Sequence, residues 1–137
     1  MSPKGKVAII TGGGTGIGKA SALALVKNGY SVTIAGRRTE PLAETISEAG
    51  ESGSRMLGVE TDVSNPDSIK HLFAKSQETF GRLDLLFSNA GSGAPPVLFE
   101  DLTYEQWITV LNVNLTGTFL GAQEAIKIMK NQNPMGG

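Results

Sequence analysis

A glycine-rich stretch near the amino terminus has the residue types and the spacing that bind phosphate. Residues Thr11–Gly18 read TGGGTGIG, follow the apolar run Val7–Ile10 and precede the Ala- and Leu-rich segment Ala20–Val26. This order predicts a strand, a tight turn and a helix. Glycines let the backbone approach a ligand closely because no Cβ stands in the way. A helix amino terminus adds unpaired N–H groups and the positive end of a dipole, so the stretch predicts a phosphate-binding turn.

Three glycine patterns compete for this turn. The common dinucleotide fingerprint G-x-G-x-x-G does not fit, because its third glycine would fall at Lys19 or Ser21. A P-loop, G-x-x-x-x-G-K-[ST], matches Gly13–Lys19 but then meets Ala20, which has no hydroxyl to hold Mg²⁺. The remaining pattern, G-x-x-x-G-x-G, is matched by Gly12, Gly16 and Gly18. The glycine spacing alone leaves the P-loop and the dinucleotide interpretations open.

Strand-like and helix-like segments alternate along the chain. We predict strands at 6–10, 31–35, 55–60 and 83–87, and helices at 17–28, 39–49, 65–80 and 104–130. Thr39 is expected to cap the second helix, Ser64 with Asp67 the third, and Thr103 with Gln106 the fourth. This alternation predicts an α/β domain over residues 1–137, with a doubly wound parallel sheet of four strands in the order 3-2-1-4.

Polar or glycine-containing segments follow the second, third and fourth predicted strands. They are Gly36–Arg38, Asp62–Val63 and Asn89–Gly91. The carboxyl ends of parallel strands meet at one edge of a sheet, and doubly wound sheets bind their ligands there. We therefore expect these segments to share one crevice with the glycine turn.

Four segments of the chain resemble motifs of the short-chain dehydrogenase/reductase family, in its classical branch. Thr11–Gly18 resembles the cofactor turn of that family, and Asp62–Val63 resembles its adenine-contacting pair. Ser88–Gly91 is similar to its NNAG motif, although serine replaces the first asparagine. Asn112–Gly117, with the sequence NVNLTG, resembles its N-V-N-L-x-G signature. The resemblance covers essentially the whole chain and implies a partial Rossmann fold.

The resemblance also implies roles for individual residues. It assigns Asn114 to the asparagine of the catalytic tetrad, which holds a water in a proton relay. The sequence itself has no two-His or His/carboxylate cluster that supports a metal site, and the only histidine, His71, is expected to be a surface or boundary residue. The cofactor-binding residues that it implies are Gly12, Gly14, Thr15, Gly16, Ile17, Gly18, Asp62, Val63, Asn89, Ala90 and Gly91.

The end of the second strand favours NADP(H) over NAD(H). An NAD-binding member normally places an acid there, which bonds the ribose 2′-hydroxyl. This chain has Gly36 at that position, followed by Arg37 and Arg38. Glycine leaves room, and an arginine fork suits a phosphate group. We therefore count Arg37 and Arg38 among the cofactor-binding residues.

Most of the catalytic groups that the resemblance implies are missing from this sequence. The family uses a serine and a Tyr-x-x-x-Lys pair, but Tyr30 is followed four residues later by Ile34, and Tyr104 by Ile108. We expect this chain to be the amino-terminal part of an oxidoreductase, truncated at its carboxyl end, inactive alone, and with an exposed apolar edge at 83–87. A non-enzymatic nucleotide-binding or interaction module is the alternative, and a P-loop hydrolase is a more remote one.

Composition narrows the class of partner. The net charge of −1 gives no electrostatic case for nucleic acid or for an anionic membrane surface, and no apolar run is long enough to span a bilayer. The chain has no cysteine, which fits a reducing compartment, so we expect a cytoplasmic protein. The resemblance implies a small carbonyl or alcohol substrate and a full-length homo-oligomer.

Overall fold

Four parallel strands in the order β3-β2-β1-β4 form the centre of the molecule, which confirms the predicted topology. The computed structural model describes residues 5–137, so residues 1–4 of the predicted domain lie outside the described part. The strands are β1 (Val7–Thr11), β2 (Ser31–Gly36), β3 (Met56–Glu60) and β4 (Leu85–Ser88). The helices are α1 (Gly16–Lys27), α2 (Thr39–Glu48), α3 (Pro66–Phe80), α4 (Tyr104–Leu111) and α5 (Gly117–Met129).

Helices cover both faces of the sheet, and the central strand is therefore buried throughout. Successive residues of β1 point to opposite faces. Ile9 belongs to a core cluster with Leu72 of α3 and Ala125 of α5. Ile10 belongs to a second cluster with Val26 of α1 and Leu42 of α2. Burial of each such isoleucine contributes about 2 kcal/mol to folding, so this packing fixes where β1 ends and the glycine turn begins.

The helix ends follow the sequence signals in most cases. Thr103 and Gln106 form the expected capping box at the start of α4. Gly81 ends α3 in the left-handed conformation, with φ of 81°. The predicted Ser64 box is wrong, because the Asn65 side chain accepts the N–H groups of the first turn of α3 instead. Thr39 is likewise the first residue of α2 and not its cap, a position that falls to Arg38 without a side-chain hydrogen bond.

The predicted long helix at 104–130 is interrupted. A π-helical segment, Asn112–Thr116, separates α4 from α5 and coincides with the NVNLT part of the family signature. π-helical turns occur frequently at functional sites, and no propensity of these residues signals one. A further segment that the sequence did not predict is the 3₁₀ helix Gly50–Arg55, which leads from α2 into β3.

The segment that leads into the edge strand β4 is shielded by a side chain from the end of the chain. The expected exposed edge at 83–87 is only half right, because Leu83 is buried while Leu85, Leu86 and Phe87 are half-buried. The Gln132 side chain accepts the Leu83 N–H at 2.9 Å and donates to the Leu83 carbonyl at 2.6 Å. This amide satisfies both backbone groups of Leu83, as a neighbouring strand would.

Candidate functional site

The glycine turn is shaped by close contacts between its own backbone segments. Gly12 and Gly16 have positive φ angles of 67° and 53°, which side chains disfavour. A Cβ on Gly18 would collide with the Gly12 carbonyl oxygen, and one on Gly14 would come within 2.8 Å of Pro41. A Cβ on Gly16 would instead meet nothing within 4 Å. The turn therefore packs tightly on the protein side and is open at Gly16.

The amino end of α1 presents unpaired donors at this open side. Thr15 is the cap residue, and its side chain makes no capping hydrogen bond. The Lys19 N–H donates to the Thr15 carbonyl at 3.1 Å, so the N–H groups of Gly16, Ile17 and Gly18 precede the bonded part of the helix. Free N–H groups at a helix amino terminus suit a phosphate group of a dinucleotide.

Thr11 joins the glycine turn to the segment after β4. Its buried hydroxyl oxygen accepts the N–H of Asn89 at 3.0 Å and that of Ala90 at 3.1 Å. The Asn89 side chain donates to the Gly12 carbonyl at 3.2 Å. The sequence places Thr11 at the start of the predicted cofactor turn but does not predict these hydrogen bonds of its hydroxyl. These bonds fix two of the predicted segments relative to each other.

Asp62 lies at the end of β3 in an environment that favours its carboxylate. Its Oδ1 accepts the Ser64 hydroxyl at 2.6 Å and the Ser64 N–H at 3.0 Å. These hydrogen bonds, with a smaller contribution from the positive charge of Arg37, lower the pKa of Asp62 despite partial burial, which opposes the shift. The group is therefore a hydrogen-bond acceptor at neutral pH.

One cavity of about 500 Å³ connects the carboxyl ends of the four strands. Every predicted cofactor-binding residue except Gly18 lines it, and Gly18 is instead buried beneath the turn. Arg37 and Arg38 stand exposed at its edge, next to Gly36. Four residues that the sequence did not single out also line it, namely Ala35, Pro41, Leu42 and Thr61, and so do Ser92 and, from the NVNLTG segment, Val113.

Asn114 does not line this cavity, but it fixes a segment that does. Its Oδ1 accepts the Ser92 N–H at 2.8 Å, and its Nδ2 donates to the Ser92 carbonyl at 2.9 Å. The Asn114 carbonyl accepts the Thr118 hydroxyl at 2.8 Å. The side chain of Asn114 is thus a clamp between the π segment and the loop after β4, a contact that the sequence could not predict.

The other candidate chemistry is not assembled in the part of the chain that the structure describes. Among residues 5–137 no group of three or more His, Asp or Glu side chains could hold a metal ion, and His71 is exposed. The Lys19 ammonium pairs with Glu48 at 2.5 Å, whereas a P-loop lysine points to phosphate. Over the same residues, no helix combines the length and the apolar content that crossing a bilayer requires.

Known proteins with this arrangement are oxidoreductases. A 3beta-hydroxysteroid dehydrogenase of Mediterraneibacter gnavus is 36% identical over 132 residues, which cover 96% of this chain and 47% of the relative. Momilactone A synthase of Oryza sativa subsp. japonica is 39% identical over 126 residues, covering 91% and 45%. The chain therefore spans about half the length of the curated relatives it matches.

Solved structures agree with these relatives. A short-chain type dehydrogenase/reductase from Mycobacterium marinum superposes with a TM-score of 0.91 at 32% identity, over 98% of this chain and 54% of that one. A 3-ketoacyl-(acyl-carrier-protein) reductase from Brucella melitensis, complexed with NADH, superposes with a TM-score of 0.87 at 31% identity, over 94% and 52%. The short chain dehydrogenase family model matches residues 6–136. The chain belongs to the short-chain dehydrogenase family.

Proposed function

We propose that this chain is the cofactor-binding half of an oxidoreductase that transfers a hydride between NADP(H) and a carbonyl or alcohol substrate. The observation that carries the proposal is the single cavity joining the glycine turn, the end of β2, Asp62–Val63 and Asn89–Gly91. Its lining offers donors for phosphate at α1 and a carboxylate acceptor at Asp62. The open backbone at Gly16 leaves the close approach that a pyrophosphate needs.

The residues of the chain would bind and orient the cofactor. The N–H groups of Gly16 and Ile17 would donate to a pyrophosphate, and Asp62 would accept from an adenine amino group. Asn114, through its two hydrogen bonds to Ser92, would hold in place the loop after β4 that lines the cavity. The cofactor itself, when bound, supplies or accepts the hydride.

The preference for NADP(H) rests on charge at the end of β2. The half-buried Gly36 places no carboxylate where a ribose 2′-hydroxyl would otherwise be bonded. Arg37 and Arg38 line the cavity at this point, and both are exposed and able to turn towards a phosphate. A guanidinium bonds a phosphate group through two parallel N–H donors, which makes it a suitable ligand for the 2′-phosphate.

Measured affinities test this preference. We expect the purified chain to bind NADPH at least about tenfold more tightly than NADH, a difference of about 1.4 kcal/mol. Arg37→Ala and Arg38→Ala, singly and together, should weaken NADPH binding and leave NADH binding unchanged. Lys70→Ala, which removes an exposed charge from α3, is the matched control. Equal affinities for the two cofactors in the unaltered chain would contradict the proposal.

The proposed hydride transfer needs catalytic groups in addition to the cofactor-binding residues. The serine and the Tyr-x-x-x-Lys pair of the family have no counterpart in the sequence. We propose that these groups belong to a following segment of the full-length protein, that the 137-residue chain alone is inactive, and that the whole protein is a cytoplasmic homo-oligomer. NADPH-dependent carbonyl reduction by the purified chain would overturn this assignment.

A non-enzymatic nucleotide-binding module is the second candidate, favoured by the presence of a cavity without a catalytic tyrosine. The transcript beyond codon 137 distinguishes the two. A reading frame that continues into a serine and a Tyr-x-x-x-Lys pair supports the oxidoreductase. A stop codon at that point supports the module.

A further inference from the structure

A polar groove adjoins the cofactor cavity on the outer side of the glycine turn. Thr15 and Arg38 line both the cavity and the groove, so the two spaces are adjacent. The groove has a volume of about 470 Å³ and runs between α1 and α2. Lys19 also lines it, although it does not line the cavity itself. The groove therefore places a second basic residue one helical turn behind the cap of α1.

The position of Lys19 in the first turns of α1 would let its side chain reach the open turn if it left its present partner. Side chains on a helix lean towards its amino terminus, so a residue covers the surface over the turn that precedes it. For Lys19 that turn is capped by Thr15, whose carbonyl accepts the Lys19 N–H. The four-carbon stem of lysine rotates freely enough to exchange one partner for another.

A carboxylate holds Lys19 away from the turn in this structure. Its ammonium group pairs at 2.5 Å with Glu48, the last residue of α2, and the Glu48 side chain is 51% exposed. Glu44 and Glu40 lie one and two turns earlier, respectively, and both line the groove. The three acids, four residues apart, therefore form one acidic face of α2 beside the basic groups of the groove.

We propose that Lys19 is a specificity residue for the cofactor 2′-phosphate, and that Glu48 competes with that phosphate for its ammonium group. The inference rests on the proposed preference for NADP(H). A phosphate placed between Thr15 and Arg38 carries more charge than one carboxylate and attracts the lysine more strongly. Lys19 then leaves Glu48 when NADPH binds and keeps it when NADH binds. The ion pair between α1 and α2 thus determines how much affinity the 2′-phosphate adds to cofactor binding.

A double-mutant cycle tests the exchange. Lys19→Met keeps most of the stem and removes the charge, and we expect it to weaken NADPH binding about fivefold without changing NADH binding. Glu48→Gln should tighten NADPH binding about threefold, because Lys19 no longer loses a partner. In the Lys19→Met background, Glu48→Gln should have no effect, since the competition no longer exists. Binding is measured by titration calorimetry, with far-ultraviolet circular dichroism to confirm that each variant is folded.

Two controls separate partner exchange from general electrostatics. Glu44→Gln removes a charge from the groove, and within residues 5–137 Glu44 makes no ion pair. Any change that it causes in NADPH affinity should therefore be the same in the Lys19→Met background. Glu78→Gln breaks an exposed pair with Lys75 on α3, far from the groove, and should change neither affinity.

The outcomes distinguish this inference from the proposed function. If the unaltered chain prefers NADPH and neither Lys19→Met nor Glu48→Gln changes that preference, the exchange is wrong and the proposed function stands. If Glu48→Gln changes NADPH affinity equally with and without the Lys19 charge, Glu48 acts by electrostatic repulsion of the phosphate and not by competing for Lys19. The inference then fails. If the unaltered chain binds both cofactors equally or binds neither, the proposed preference itself is overturned.

Discussion

The glycine-turn end of the sheet and the outer face of α4, the π segment and α5 differ in how completely their groups are packed. Polar and backbone groups around the turn are paired within the protein, whereas apolar side chains on the outer helix face are exposed. Around the turn, backbone atoms touch backbone atoms, and the Thr11 hydroxyl accepts two N–H groups from the segment after β4. On the outer helix face, large apolar side chains stand in solvent, with Trp107 52%, Leu115 64% and Phe119 58% exposed. In the first region the described residues supply each other's contacts. In the second region none of the described residues covers the apolar side chains.

This difference separates two physical tasks. A phosphate-binding turn needs rigid backbone, and a substitution there alters contacts that have no room to relax. Exposed apolar side chains make few contacts within the chain, so we expect a substitution there to change association more than folding. Asn114 lies between the two regions, because it joins the π segment to the loop that lines the cavity. Variants in the three places should therefore differ in size and kind of effect.

The largest effect is expected at Gly18. Gly18→Ala places a methyl group against the Gly12 carbonyl, so the turn must shift, and we expect a loss of about 3 kcal/mol in the free energy of unfolding. Gly93→Ala is the matched control, because its added Cβ meets nothing within 4 Å. Urea titration followed by circular dichroism measures both. Equal stability of the two variants would mean that the turn is not the rigid region described above.

A smaller loss is expected at Thr11. Thr11→Val keeps the shape of the side chain but leaves the N–H groups of Asn89 and Ala90 without their acceptor, at a cost of about 2 kcal/mol in unfolding free energy. Thr11→Ser should restore part of that stability, because it returns the hydroxyl. Thr109→Val, on an exposed helix position, serves as the reference. A serine variant no more stable than the valine variant would exclude the hydrogen bonds as the cause.

Asn114→Ala should have an intermediate and local effect. The loss of two hydrogen bonds to Ser92 should lower the free energy of unfolding by about 1 kcal/mol and speed amide hydrogen exchange at Ser92. Asn112→Ala alters the same π segment two residues earlier, without touching that clamp, and should leave Ser92 exchange unchanged. Identical exchange rates in the two variants would show that the clamp is not closed in solution.

The smallest effect on stability is expected on the outer helix face. Leu115→Gln with Phe119→Gln should change the free energy of unfolding by no more than about 0.5 kcal/mol, because both side chains are already exposed. Sedimentation velocity should instead show less concentration-dependent association than in the unaltered chain. Trp107 is the only tryptophan, so its emission reports on the same face. A large loss of stability would mean that these side chains pack within the monomer.

The sequence predicted the strand order and most of the cavity, because both depend on local signals. Apolar runs such as Val7–Ile10 identify buried strands, and strand ends then bring Asp62 and Asn89 to one edge. The pairing of Asn114 with Ser92 was beyond prediction, since it joins residues 22 positions apart through a loop of no regular pattern. Asn65 displaced Ser64 as a cap because two adjacent polar residues offer the same chemistry, and only the backbone geometry chooses between them.

The π segment determines which face of α5 is turned towards the sheet. Gly117, Gly121 and Ala125 recur every four residues and form the buried stripe by which α5 approaches the sheet. An α-helix turns by about 100° per residue, so a chain one residue shorter within Asn112–Thr116 would present a different stripe to β4. The Cβ of whichever residue replaced Gly117 would then meet the Val63 carbonyl, which lies 2.9 Å from that position. The five residues of the π segment, which carry most of the family signature, thus also act as a spacer, and their number matters as much as their identity.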